Sequence, residues 1–204
     1  MMENWDLFLA PYQQVVEELK VKLKVMREQF DNLSDHSPIE FVTGRVKPIP
    51  SILIKAKEKG LNADNYHEIQ DLAGLRIMCQ FVDDIYTVIE LLRGRSDFEI
   101  VEERDYISRN KVSGYRSYHV VISYPVETIN GQVKVLAEIQ VRTLAMNFWA
   151  TIEHSINYKY SGQIPENIHA RLRRAAEASA RLDEEMSNIR EEIQEAQKIF
   201  HRKK

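Results

Sequence analysis

Four stretches carry side chains of the kinds that bind and rearrange phosphates. In the first, Arg45, Lys47, Lys55 and Lys57 lie within residues 41–57, a segment with no acid. Such an island suits a small polyanion such as a nucleotide, or it is an ordinary solvated basic face. In the second, Asp71 stands just before a run, Leu75 to Phe81, whose polar side carries Arg76. A carboxylate there can hold a hard cation or cap a turn, and the arginine can be its structural ion-pair partner. The third is Lys111-Val112-Ser113-Gly114-Tyr115-Arg116-Ser117-Tyr118-His119, where Gly114 permits a close turn and Tyr115 offers its ring to a base or to packing. In the fourth, Glu138, Gln140 and Arg142 recur at period two and point into a common space, unless the face is simply solvated. The alternate residues Val135, Ala137, Ile139 and Val141 are apolar enough for a central strand. His119 can lie near the polar row on an antiparallel partner. Asp71 and Glu138 then supply two carboxylates at neighbouring strand ends, a set that suits one Mg²⁺ shared with substrate phosphates. The chain has no G-x-x-x-x-G-K-[ST], G-x-G-x-x-G or H-E-x-x-H motif and no paired cysteines, so side-chain cations and a hard metal must do the work of a P-loop.

These residues need a scaffold, and apolar spacing outlines one. Trp5, Phe8, Leu9, Tyr12, Val15, Val16, Leu19, Leu23, Met26 and Phe30 recur every three or four residues, which predicts a first amphipathic helix. Glu40-Phe41-Val42 reads as a short extended piece punctuated by Thr43-Gly44. Pro48 and Pro50 lead into a helix from Ser51 that ends at Gly60, with Ser51, Lys55 and Lys59 on one stripe. A strand is expected over 75–81, then a helix capped by Asp83 and running through Leu92, then a strand beginning at Phe98–Val101. Residues 118–126 and 132–142 flank Asn130-Gly131, a hairpin signal, and Thr143 is placed to cap the helix after them. Residues 168–200 hold a heptad seam: Ile168, Leu172, Ala175, Ser179, Leu182, Met186, Ile189, Ile193, Ala196 and Phe200. Its length favours oligomerisation, because a small domain offers little surface to cover it. The implied organisation is an N-terminal helix (1–36), an α+β catalytic domain (37–162) and a C-terminal heptad helix (163–204).

Composition bounds the rest. The 204 residues carry 28 Lys and Arg against 31 Asp and Glu, a net charge of −3, which argues against a dedicated duplex-DNA binder. A single cysteine excludes a disulfide scaffold and favours a reducing compartment. With no readable signal peptide and no apolar run that approaches a membrane span, a cytoplasmic protein without membrane association is expected.

Taken in order, the motifs resemble those of (p)ppGpp synthetases. Thr43-Gly44-Arg45-Val46-Lys47 with Ser51 and Lys55 resembles their G-R-x-K…S-x-x-x-K element, and Asp71-Leu-Ala-Gly74-Leu-Arg76 their D-x-x-G-x-R strand. Lys111-x-x-Gly114-Tyr115-x-Ser117-x-His119 resembles their guanine-binding loop, and Glu138-Ile-Gln140-Val-Arg142-Thr143 their E-x-Q-x-R-T strand. With Asn147 to His154 and the flanking helices, the likeness extends to the small alarmone synthetases, which lack the hydrolase domain of longer relatives. Asp35-His36 is not a hydrolase motif, so synthesis alone is expected.

The resemblance implies a nucleotidyltransferase-like mixed sheet, and transfer of the β,γ-pyrophosphate of ATP to the 3′-hydroxyl of GDP or GTP with release of AMP. It further implies that Arg45, Lys47, Ser51, Lys55 and Arg76 serve ATP. Lys111, Tyr115, His119, Gln140 and Arg142 would serve GDP or GTP, with Tyr115 stacked on guanine. Asp71 and Glu138 would hold Mg²⁺, and Glu138 would take the proton of the acceptor hydroxyl. Small members form homotetramers, and some respond to their own product; here Lys20, Lys24, Phe41, Thr43 and Asn147 are the candidates for a (p)ppGpp regulatory site. Read from the residues alone, Lys20 and Lys24 fit an ordinary solvated helix face better than a ligand site. Two alternatives stand beside this reading: a nucleotidyltransferase that adds nucleotides to another acceptor, and an oligomeric single-stranded-RNA-binding protein that uses the basic island as a phosphate track.

Overall fold

The computed structural model describes residues 4–33, 36–109, 111–159 and 165–201. Asp35, the boundary expected at 162–163 and the side chain of the seam residue Phe200 lie outside the described residues. In chain order the elements are α1 (Trp5–Asn32), β1 (Phe41–Val46), α2 (Ile49–Lys59), a 3-10 turn (Ala63–Glu68), β2 (Ala73–Cys79), α3 (Val82–Arg93), β3 (Glu99–Asp105), β4 (Tyr118–Thr128), β5 (Gly131–Thr143), α4 (Leu144–Lys159) and α5 (Glu166–His201). The five strands form one sheet in the order β1-β2-β5-β4-β3. β2 and β5 run parallel, and every other pair is antiparallel. This is the mixed, helix-flanked α+β architecture expected.

The apolar side of the sheet carries Leu75, Ile77, Val120, Ile122, Ile139 and Val141. All are buried in one core with Val15, Val16, Leu19 and Leu23 of α1 and Ile85, Val88, Ile89 and Leu92 of α3. The period-two alternation of the strands thus leaves the other side to Arg76, His119, Glu138, Gln140 and Arg142.

Several boundaries differ from those expected. β1 runs through Thr43-Gly44 instead of ending there. A β-carbon on Gly44 would meet Val16 Cγ1 at 2.9 Å, so this glycine serves the close approach of α1 to a strand, not a turn. α2 begins at Ile49, with Pro50 inside its first turn, and Gly60 (φ 66°) closes it in the left-handed conformation. β2 starts and ends two residues before the expected strand, because Phe81 already leads into α3. The carboxylate that accepts the Phe81 N–H is that of Asp84, at 3.1 Å, and not that of Asp83. The hairpin turns on Ile129 and Asn130, one place before the Asn-Gly pair, with Gly131 (φ 101°) opening β5. Thr143 caps α4 as expected, its hydroxyl accepting the Met146 N–H at 3.1 Å.

α5 packs on its own chain through the seam residue Leu172 and, from Ala176 onward, through a different stripe from its heptad seam. Ala176 and Asp183 are buried and Leu172 and Arg190 are half-buried, whereas Leu182, Met186, Ile189 and Ile193 are exposed. Among the described residues, no helix is long and apolar enough to cross a membrane.

Candidate active site

Parallel pairing sets Gly74 beside Glu138 and Arg76 beside Gln140, and antiparallel pairing sets His119 beside Gln140. Three strands therefore deliver their polar side chains to one patch. Arg45, Lys47, Asp71, Gly74, Leu75, Arg76, Glu138 and Gln140 line a single cleft there. Gly74 carries no side chain, which leaves the cleft floor open between Arg45 and Glu138.

A closed ring of hydrogen bonds organises the β4–β5 side. Arg142 Nη2 donates to Gln140 Oε1 (2.8 Å) and Tyr115 OH (2.6 Å), and Gln140 Nε2 donates to Glu138 Oε2 (2.8 Å). Glu138 Oε1 meets His119 Nδ1 at 3.1 Å, and His119 Nε2 meets Tyr115 OH at 2.7 Å. Because an ionised carboxylate only accepts, His119 Nδ1 carries a proton and donates to Glu138, and Nε2 faces the Tyr115 hydroxyl, which also accepts from Arg142. Arg76 Nε also donates to Gln140 Oε1, at 3.3 Å. Burial pushes the Glu138 carboxyl up, but His119 and the Gln140 amide outweigh it and hold it below the ordinary glutamate range. The side chain is thus ionised at neutral pH although only 9% exposed. Burial, then the charges of Arg142 and Arg45, lowers Arg76.

Asp71 anchors the other side. Its two oxygens meet Lys47 Nζ at 2.7 Å and Lys55 Nζ at 2.8 Å. Burial raises this carboxyl, and the two lysines more than reverse the effect. Lys55 reaches Asp71 from α2, and Ser51 lies one turn earlier on that helix, half-buried, its N–H bonded to the Pro48 carbonyl. Ser51 does not line the cleft. Arg45 does, exposed, its guanidinium making no ion pair or hydrogen bond among the described residues. Among those residues no group of three or more His, Cys, Asp or Glu converges. Asp71 and Glu138 are the carboxylates of the cleft: both ionised, both hard oxygen donors, and two in number. That fits an ion such as Mg²⁺, which keeps its remaining positions for water and substrate phosphates.

Lys111 stands apart from the cleft, with its ammonium over the Tyr106 ring (4.0 Å) and near that of Tyr115 (5.0 Å). Tyr106 meets Tyr115 and His119 edge-on. Two residues of this surface were not singled out in the sequence, Tyr106 and Arg104. β3 pairs Arg104 with His119, and the guanidinium is held by Glu102 and by Gln70 Oε1 (2.7 Å), next to Asp71. The mixed charges of Glu102-Glu103-Arg104 gave no alternation from which to read an inward cation.

The five regulatory candidates are only partly gathered. Lys20, Lys24 and Phe41 line a groove between α1 and β1. Thr43 is exposed two residues along the strand. Asn147 sits on α4, where its side-chain oxygen accepts from Arg142 Nη1 at 3.5 Å.

Comparison with known proteins follows the same lines. Residues 44–163 match the family model described as the region found in RelA / SpoT proteins. Over 202 residues, 99% of this chain and 96% of the relative, the sequence is 63% identical to GTP pyrophosphokinase YjbM of Bacillus subtilis. The crystal structure of small alarmone synthetase 1 from Bacillus subtilis bound to its product pppGpp superimposes with a TM-score of 0.90 at 63% identity, covering 93% of this chain and 98% of that one. The same synthetase bound to AMPCPP gives 0.83 at 59% identity, with coverage of 94% and 98%.

Proposed function

The chain belongs to the RelA/SpoT family, and from that premise we propose that it is a GTP pyrophosphokinase making the guanosine alarmones ppGpp and pppGpp. One observation carries the assignment of residues. Glu138 lies between the cations Arg45, Lys47 and Arg76 of the cleft on one side and the hydrogen-bonded ring of His119, Tyr115 and Arg142 on the other. A donor triphosphate on the first set and a guanosine on the second would meet at this carboxylate.

In that arrangement the acceptor 3′-hydroxyl oxygen bonds to the β-phosphorus of ATP and the bond from that phosphorus to the α-bridging oxygen breaks. AMP leaves with that oxygen, and the hydroxyl proton passes to Glu138. Such transfer asks for alignment and for neutralised charge more than for covalent help. Arg45 and Arg76 offer planar forks to phosphate oxygens, and Lys47 and Lys55 offer movable point charges. Ser51, in the N-terminal turn of α2 one turn before Lys55, would add a hydroxyl to donor phosphates that extend beyond the cleft lining. Asp71 and Glu138 would hold Mg²⁺, which when bound supplies charge neutralisation at the donor phosphates. Tyr115 would stack on guanine, with Lys111 moving off the ring faces it now covers. His119, Gln140 and Arg142 would orient the acceptor, and Arg104, opposite His119, would extend that cationic edge. The catalytic unit is 37–162, with α1 and α5 as its flanking helices, in a cytoplasmic setting.

The test is product analysis with ATP labelled at the γ-phosphate, Mg²⁺, and GDP or GTP. Labelled ppGpp or pppGpp with one AMP per product is expected. Pyrophosphate release instead would move the reading to nucleotidyl transfer. An inactive protein that retains single-stranded RNA, weakening steeply with salt, would support the binding-protein reading.

The exposed seam of α5 supports a homo-oligomer, read here as a tetramer. Apolar residues at 182, 186, 189 and 193 cover one side of the helix while a polar stripe holds it to its own chain. Replacing Leu182 and Ile189 with Glu together is expected to give a monomer by light scattering, with the circular dichroism unchanged; a tetramer surviving both changes would refute the seam. The groove of Lys20, Lys24 and Phe41 is the proposed place for a regulatory (p)ppGpp, with Thr43 and Asn147 as outlying members. Product activation is expected to vanish in Lys24→Ala, and its persistence at full strength would refute that assignment.

A further inference from the structure

The acceptor-loop motif leaves position 116 open, yet this residue joins the loop to α5. Its neighbours both face the acceptor side. The Tyr115 hydroxyl bonds to His119 and Arg142, and the Ser117 hydroxyl accepts Arg142 Nε at 3.1 Å. The Arg116 side chain leads to α5, where Nη1 donates to Asp183 Oδ2 at 2.9 Å, with the two side chains 16% and 4% exposed. Thr143, the residue after Arg142, also faces the Asp183 carboxylate and favours its ionised form. Seven residues earlier on the same helix face, Ala176 presses on the loop. Gly114 has φ +85°, and a β-carbon there would lie 2.5 Å from Ala176 Cβ. One face of α5 thus touches the segment on both sides of Tyr115 and the end of the strand that carries Arg142.

A buried ion pair is a poor source of stability, since desolvation offsets much of the attraction. Burial keeps the Asp183 carboxyl above its ordinary range even with Arg116 and Thr143 against it. What the pair does supply is a directional tether at a defined place on the loop.

We propose that Asp183 is a positioning residue for the guanosine acceptor: through Arg116 and Thr143 it holds Tyr115, Ser117 and Arg142 in the arrangement that receives the base. It touches no reacting atom. The inference rests on the function proposed above and deepens it, assigning to α5 a part in acceptor binding separate from its exposed seam.

The test is steady-state kinetics with both substrates varied, together with calorimetric GDP binding, for wild type, Asp183→Asn, Arg116→Met and the double variant. Asp183→Asn is expected to raise the acceptor KM and the GDP Kd about tenfold, the size of one lost charged hydrogen bond, with the KM for ATP unchanged. Arg116→Met is expected to do the same, and the double variant no worse than either single one, since both break one link. Asp183→Glu is expected to recover part of the loss. Acceptor constants within twofold of wild type in folded variants would overturn the inference, as would an equal rise in the KM for ATP, which marks general damage. A wild-type protein that makes no alarmone would overturn the function itself, a result distinct from active wild type with unmoved variants.

Discussion

Glu138→Gln is expected to lower alarmone synthesis by about 10³-fold or more while the protein stays folded. Loss of a positioned base alone is worth about 10²–10⁴-fold, and the same change removes one of the two carboxylates proposed to hold the metal. The amide is not a neutral replacement in this ring. Its oxygen can still accept from His119 Nδ1, but its NH₂ then faces Gln140 Nε2, which now donates to Glu138 Oε2. Gln140 cannot simply rotate, because its own oxygen already accepts from Arg76 and Arg142. A donor would meet a donor, and two arginines would lose a nearby negative charge. The measurement is the initial rate of labelled product at saturating ATP and acceptor, beside thermal unfolding. More than a tenth of wild-type activity would remove Glu138 from the chemistry. The pH dependence has a definite sign. The folded pKa is depressed, so the stability that Glu138 contributes is present above its unfolded pKa and is lost as pH falls through the lower folded value. As a base it stays ionised on the acid side of neutrality, so an activity loss between pH 8 and 6 would have to come from another group.

Much of this site was legible because strands alternate. The period-two row Glu138-Gln140-Arg142 reads directly as one face, and the hairpin brings His119 to it even though the turn sits one residue from the Asn-Gly pair. Asp71 with Lys47 and Lys55 was legible as types but not as a triad. That contact depends on how α2 lies against the sheet, which local spacing does not encode. Gly44 was misread for a related reason. Glycine punctuates turns and also admits close helices, and only the position of Val16 over β1 decides between them. The two faces of α5 were half legible. The heptad stripe stood out, but the stripe that packs on its own chain includes Asp183, Ser187 and Arg190, polar residues that a hydrophobic pattern assigns to solvent.

Asp71→Asn is expected to cut turnover by about 10²–10³-fold, the scale of losing a group that acts on charge in the transition state, yet without weakening ATP binding measured in chelator. Asp71 balances Lys47 and Lys55 through two short ion pairs, beside the further charges of Arg45 and Arg76. Its loss leaves a cationic cleft without its counterion, and the free protein is expected to lose roughly 2 kcal/mol, the scale of a hydrogen bond to a charged partner. A bound triphosphate supplies the missing negative charge. ATP affinity without metal should therefore hold or rise even as catalysis falls, because the variant has lost an anion that competes with the substrate for the same lysines. A purely structural Asp71 predicts the opposite coupling, with stability, affinity and turnover declining together. Binding titrations in chelator and single-turnover rates with Mg²⁺ separate the two, and turnover within tenfold of wild type would refute a role for Asp71 in holding the ion. The same logic explains why the two lysines are held on this carboxylate. Pairing would keep them oriented and close to the cleft until phosphate oxygens take their place and free Asp71 oxygens for a cation.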